Sequence, residues 1–189
     1  MTMTVLNEQI DIRTARLRLR APRDGDAPPL YALFSNWEVI RWLSSLSWPF
    51  MPDHARDFIA ARKRDAEAIT AAITLDGDFI GIIDARIKPA SAIQREHGYS
   101  VGYWLGQPYW GRSYMSEAAL AFIAHVFRRI PDETIYSGAF TANAASLRIQ
   151  EKLGFRRDGE AMFFAKPHGK DMPHVSTSLT RAGFAAIAP

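Results

Sequence analysis

The 189-residue sequence contains no cysteine. That excludes disulfides, thiolate metal sites and a cysteine nucleophile, and leaves the redox compartment open. No apolar run approaches the roughly 20 residues of a membrane span, so no membrane partner is expected. The opening stretch MTMTVLNEQIDIRTARLRLR lacks the basic-then-apolar layout of a signal peptide, which makes the cytoplasm the expected location. Long runs of one charge are also missing. Lys and Arg number 23 against 20 Asp and Glu, for a net charge of +3, and the basic residues fall in short groups such as RLRLR and RKR. Nucleic-acid binding leaves a concentrated basic stripe, so no nucleic acid is expected either. Histidines stand at 54, 97, 125, 168 and 174. His168 and His174 are read into one hairpin loop at a spacing unsuited to a metal pair, and no metal is expected.

What is present is an ordinary globular composition, 48% hydrophobic and 23% charged, in a chain long enough for one domain with a full core. No repeat or low-complexity linker divides it. The reading is an N-terminal extension over 1–13, a single domain over 14–182 and a C-terminal tail over 183–189.

The order of elements is mixed α/β. ARLRLRAP alternates apolar and basic residues, the period-two pattern of a half-buried strand, and Pro22 ends it. DGDAPPLYALFSN predicts a helix capped by Asp24 or Asp26 with Leu30, Leu33 and Phe34 inward. WEVIRWLSSL reads as a second short helix. DHARDFIAARKRDAEA reads as a third, N-capped by Asp53, with Ala55, Phe58 and Ile59 inward. Two strands then flank Asp76-Gly77, a hairpin signal. EHGYSVGYWLG is a further strand, followed by a helix over 111–129 with Met115, Ala119, Phe122, Val126 and Ile130 on one side. TIYSGAF is a strand, NAASLRIQEKLGF a helix capped by Asn143 and stopped at Gly154, and GEAMFFAKPHGKDMPHVSTSLT a closing hairpin. A helix joins GYSVGYWL to TIYSGAF, so those two strands should be parallel neighbours.

Two helix starts therefore follow two parallel strands and point their polar ends the same way. In PYWGRSYMSEA the N–H groups after Gly111 sit at a helix N-terminus, a seat for phosphate, with Arg112 beside it. The loop lacks the GK[ST] of a Walker motif and the three glycines of a dinucleotide fingerprint. At the second start, Asn143 caps and Ser146 follows three residues later. Ligands of open α/β sheets collect at such an edge.

TARLRLRAPRDGDAPPLYALFSNWEVIRWL, VGYWLGQPYWGRSYMSEAALAFIAHVF and NAASLRIQEKLGF together resemble the GNAT N-acetyltransferase superfamily, in the branch resembling ribosomal-protein-alanine N-acetyltransferases. The resemblance runs from about Thr14 to about Thr180. It implies a central, mostly antiparallel twisted sheet with a splayed parallel strand pair and flanking helices. It implies acetyl-CoA as co-substrate, with pyrophosphate on the backbone of Gly111, Arg112, Ser113, Tyr114 and Met115. Pantetheine would lie along Tyr103, Trp104 and Leu105, Asn143 would bond that arm, and Ser146 would lie near the sulfur. Three features depart from the family. Pro108 and Ser113 replace the usual Gln or Arg and Gly or Ala of the loop. Gln150 stands where many members carry a proton-donating tyrosine, leaving Ser146 as the acid. Ser100 stands where relatives carry a glutamate, leaving Glu96 or His97 as base.

The expected reaction is direct acetyl transfer to a primary amine, with a protein or peptide N-terminal α-amine as first choice. A small-molecule amine (aminosugar, antibiotic or polyamine) and a non-catalytic acetyl-CoA-binding module are the alternatives. Trp42 is assigned to core packing, and Trp48 and Phe50 to the acceptor wall. The resemblance also admits a homodimer, since related enzymes are often dimers.

Overall fold

The alternating Leu17 and Leu19 are both buried, and their strand lies near one edge of an eight-stranded sheet ordered β1-β2-β3-β4-β5-β6-β8-β7. The computed structural model describes residues 10–90 and 98–187. The strands are β1 Asp11–Arg13, β2 Leu17–Arg20, β3 Ile69–Leu75, β4 Asp78–Lys88, β5 Gly98–Leu105, β6 Thr134–Phe140, β7 Arg156–Ala165 and β8 Lys170–Thr180. The helices are α1 Ala27–Phe34, α2 Trp37–Ile40, α3 Pro52–Arg64, α4 Tyr114–Arg129, α5 Ala144–Lys152 and α6 Arg181–Ala185. All strand pairs are antiparallel except β5 with β6. This is the mixed α/β architecture expected. The sheet takes in residues 11–13 of the N-terminal extension, and α6 runs past residue 182. No helix among the described residues is long and apolar enough to cross a membrane.

Helices cover both faces. On one side α1, α2 and α3 bury Leu30, Phe34, Ile40 and Ile59 against Ile82 and Trp104. On the other, α4, α5 and α6 bury Phe122, Val126, Leu153 and Phe184 against Ile83 and Val101. Met115, Ala119, Phe122, Val126 and Ile130 are all buried, as their helical spacing predicts. Each large apolar side chain removed from water contributes about 1.5–3 kcal/mol.

Several local readings change in detail. Helix α3 begins at Pro52 with Met51 as N-cap, because proline needs no N–H partner and its fixed φ suits a first helical position. Asp53 therefore lies inside the first turn, paired with Arg56. Asp24 and Asp26 form a short 3-10 turn, and the Asp26 carboxylate accepts from Arg20 at 2.6 and 2.8 Å instead of capping α1. WEVIRWLSSL is helical only over Trp37–Ile40, with Asn36 Oδ1 accepting from Glu38 N–H. Helix α4 starts at Tyr114, since Gly111 and Ser113 hold left-handed φ of 72° and 60°. His174 lies within β8, while His168 sits in the turn before it.

The parallel pair positions the site. Its ladder has a single register pair, Ser100 with Tyr136, supplemented by Ser137 Oγ donating to Val101 O at 2.9 Å. Beyond that point β5 and β6 part, and a cavity of about 440 Å³ opens between Gly102–Leu105 on one wall and Ser137–Phe140 on the other.

Candidate active site

The floor of the cavity is main chain. Gly106 N–H donates to Ile80 O at 2.9 Å, and an antiparallel ladder alternates the side to which successive residues turn their backbone groups. Tyr103 and Leu105 therefore aim theirs toward the gap beside β6. The carbonyl of Leu105 takes the indole N–H of Trp110 at 2.8 Å. The N–H and C=O of Tyr103 and the N–H of Leu105 remain directed at the opening, an amide-sized set of partners for an extended ligand. Trp104 packs its indole 4.0 Å from the Phe34 ring on the α1–α3 face.

At the mouth, Gly111, Arg112, Ser113, Tyr114 and Met115 turn from the end of β5 into α4. A Cβ on Gly111 would meet nothing within 4 Å, so this corner is open, and its φ of 72° favours glycine. The corner is braced from behind. Arg16 donates to Arg112 O at 3.0 Å, and Glu117 accepts from Thr14 Oγ1 at 2.6 Å and Arg16 Nε at 2.7 Å. Partial burial works against the Glu117 carboxylate, but the bonds from Thr14 and Arg16 outweigh it and hold its pKa below the ordinary value.

The second helix start carries a side-chain network. Asn143 Oδ1 accepts from Ser146 N–H at 3.2 Å, capping α5 as predicted. Ser146 Oγ lies 3.2 Å from Gln150 Nε2 and 3.1 Å from the Tyr103 hydroxyl, and Gln150 Oε1 accepts from Thr177 at 2.8 Å. Gln150 is buried, which explains how an amide is kept at this position.

The far end is charged. Arg62 of α3 and Asp84, Arg86 and Lys88 of β4 line it, with Asp84 Oδ2 at 3.0 Å from Arg62 Nε and 3.5 Å from Arg86 Nε. His174 of β8 closes this wall opposite Phe163, over Gly138, whose missing Cβ leaves room for the ring. Burial, aided by Lys88, lowers the His174 pKa to about 4, so its imidazole is neutral at neutral pH. Glu96 and His97 lie outside the described residues. Trp42 lines the cavity, whereas Phe50, 5% exposed, packs edge-on against Phe34 in the core and Trp48, 43% exposed, meets Trp37 edge to face. Neither Trp48 nor Phe50 reaches the cavity wall, because the turn after α2 directs Phe50 inward behind α1. No group of three or more His, Asp or Glu among the described residues is arranged to hold a metal.

The sequence profile of the acetyltransferase (GNAT) domain matches residues 16–156, spanning β2 through the end of α5. The chain belongs to the GNAT acetyltransferase family. It is an acyltransferase, an N-acetyltransferase by family. Among GNAT relatives, the uncharacterized N-acetyltransferase YnaD of Bacillus subtilis is 28% identical over 163 residues, 85% of this chain and 90% of that one. RimL, a ribosomal L7/L12 alpha-N-protein acetyltransferase solved in complex with coenzyme A, superposes with a TM-score of 0.73 at 21% identity, covering 90% of this chain and 97% of RimL. The microcin C7 self-immunity acetyltransferase MccE, solved with acetyl-CoA and AMP, gives 0.73 at 17% identity over 94% of this chain and 99% of that one. These likenesses establish the GNAT fold.

The sequence points to the main-chain positions that line this cavity, and most of the charged and aromatic side chains around it carry no such signal. Asp84, Arg86 and Lys88 follow one another at period two on β4, a signal readable once that strand's inner face is known. His174, Arg62 and the Tyr103 hydroxyl had no local signal.

Proposed function

We propose that the enzyme transfers the acetyl group of acetyl-CoA directly to a primary amine, with the N-terminal α-amine of a protein or peptide as acceptor. The observation that carries this reading is the parting of β5 from β6 directly below two helix starts. Gly111 to Met115 would hold the pyrophosphate on backbone N–H groups and the α4 dipole. The main chain of Tyr103 and Leu105, in the Tyr103-Trp104-Leu105 segment, would bond the pantetheine amides, with Asn143 beside them. When bound, the co-substrate supplies an acetyl thioester. Backbone N–H from the Tyr103–Leu105 segment steadies the thioester oxygen, and Ser146 gives a proton to the departing sulfur. Two substrates held side by side supply the remaining advantage as proximity.

The acceptor end supports an amine of low pKa. An α-amine titrates near 7.8 and a lysine near 10.4, a difference of about 3.5 kcal/mol in the cost of the free base. Arg62, Arg86 and Lys88 around one carboxylate make the wall net cationic, which disfavours an incoming ammonium and favours the neutral nucleophile. Asp84 and His174 are the described groups placed to take a proton there. Family kinship with RimL, which acts on a protein α-amine, agrees with this choice.

MccE, solved with acetyl-CoA and AMP, favours a second reading in which a small-molecule amine is the acceptor. Unfolding temperatures with acetyl-CoA, CoA and ADP test the co-substrate: at about a hundred times Kd, acetyl-CoA should add about 2.7 kcal/mol and ADP much less. Acetylation of free-N-terminus peptides, aminosugars and polyamines, with products located by mass spectrometry, tests the acceptor. Lysine-only products would overturn the α-amine choice.

A further inference from the structure

The hydroxyl of Tyr103 has no task in the reaction described so far. It leaves β5 and reaches α5, where it lies 3.1 Å from Ser146 Oγ and 3.2 Å from the Ser146 carbonyl oxygen. The surrounding hydrogen bonds have a direction. Thr177 donates to Gln150 Oε1, because a carbonyl oxygen only accepts. That turns the amide NH2 of Gln150 toward Ser146 Oγ, to which it donates at 3.2 Å. Ser146 Oγ thus receives one hydrogen bond from Gln150 and retains one free lone pair and its own proton. The Tyr103 hydroxyl is within reach of that lone pair, and its single proton faces both Ser146 Oγ and the Ser146 carbonyl oxygen, to which it also donates.

A serine acting alone is poorly suited to protonate a thiolate. The CoA thiol titrates near 8.5, whereas an aliphatic hydroxyl is a far weaker acid and would be left as an alkoxide. A phenol, near 10 in water and raised here by burial, is still a far stronger acid than an aliphatic hydroxyl. We propose that Tyr103 is a positioning residue that donates to Ser146 Oγ and replaces the proton Ser146 passes to the leaving sulfur. The inference rests on the assignment of Ser146 as the acid. In the transfer, the C–N bond forms and the C–S bond breaks, with its electron pair going to sulfur. The Ser146 proton moves to sulfur as the Tyr103 proton moves to Oγ. The nitrogen sheds one proton in becoming an amide, and water returns one to Tyr103, so the sum is acetyl-CoA plus amine giving amide plus CoA thiol. Burial raises the Tyr103 pKa, although its bonds to Ser146 and Gln150 pull the other way, so the hydroxyl keeps its proton through the neutral range. Gln150 fits the same scheme as the group that orients Ser146, in the position where a direct tyrosine donor would otherwise stand.

The test compares acetyl-CoA with acetyl-seleno-CoA, whose leaving selenolate is a much weaker base and needs little help from an acid. Hydroxylamine serves as acceptor, being largely unprotonated at pH 7 and small enough to need no acceptor pocket. Tyr103→Phe should lower kcat on acetyl-CoA about tenfold, leave calorimetric acetyl-CoA affinity within about twofold, and run within about twofold of the unsubstituted enzyme on the seleno analogue. An equal loss on both analogues, or no loss, overturns the relay. Ser146→Ala separates the two assignments. If it is sensitive to the chalcogen and Tyr103→Phe is not, Tyr103 alone is excluded, and if Ser146→Ala is insensitive, the acid assignment itself falls. A readout without turnover uses 13Cζ-labelled tyrosine. The Tyr103 resonance, identified by its loss in Tyr103→Phe, should shift in Ser146→Ala and in Gln150→Leu, and an unmoved resonance overturns the proposal. Should Tyr103→Phe fold poorly, 3-fluorotyrosine at position 103, with a more acidic phenol, should reduce the difference between the two analogues.

Discussion

Glu117, in the first turn of α4, lies 2.7 Å from the guanidinium of Arg16, whose other arm donates to the carbonyl of Arg112. A single carboxylate thereby ties the strand before the first helix to the loop at the mouth of the cavity. Glu117→Gln should weaken acetyl-CoA binding by about three- to tenfold and destabilise the fold by about 1–2 kcal/mol, read by calorimetry and urea unfolding. The folded-state pKa of Glu117 is lowered, so its contribution is complete above the ordinary carboxyl value of 4.5 and is lost as pH falls through the lowered value. The variant should lack that part of the acid transition.

Ser113 holds a φ of 60°, which costs a residue with a Cβ about 1 kcal/mol. Ser113→Gly should therefore raise stability slightly, by less than about 1 kcal/mol after the entropy of the freer unfolded chain, and keep acetyl-CoA affinity. Gly111→Ala should act in the opposite sense, because its φ of 72° disfavours any side chain. Paired melting curves of the two variants check both signs.

His174 should make the protein sensitive to mild acid. Its folded pKa is depressed from 6.5 to about 4, so the unfolded chain binds the proton first as pH falls, and stability declines between those two values. Between pH 7.5 and 5 the loss from this residue should be about 2 kcal/mol. His174→Gln should flatten that part of the profile in urea unfolding at the two pH values. A profile of unchanged slope would remove His174 as its source.

Asp84 is the carboxylate shared by Arg62 and Arg86 in a wall where its side chain is 10% exposed. Asp84→Asn removes the carboxylate that the partly exposed Arg62 and Arg86 share and should cost about 2 kcal/mol. On the proposed acceptor placement it should also slow acetyl transfer to a peptide amine more than to hydroxylamine, which is small enough to need no contact with this wall.

Much of this molecule was legible locally. Asp76 and Gly77 take φ of 52° and 97°, the geometry a two-residue hairpin demands, and the dipeptide announced it. Gly111, the Asn143 cap and the Gly154 stop were likewise readable, because each depends on residues within a few positions of one another. The buried stripe of α4 followed from its period. Cap positions were less secure where a neighbour competed: Arg20 drew Asp26 away from α1, and Pro52 displaced Asp53.

The sequence by itself determined the order of elements, the parallel pair and the two helix starts, since turn chemistry and periodicity act over short stretches. Only the tertiary structure decided that Tyr103 meets Ser146, that Arg62 closes on Asp84, and that His174 rests over the bare Cα of Gly138. Those meetings depend on strand register and on which face each helix covers. They are set by burial summed over the whole sheet, and no window of sequence contains both partners.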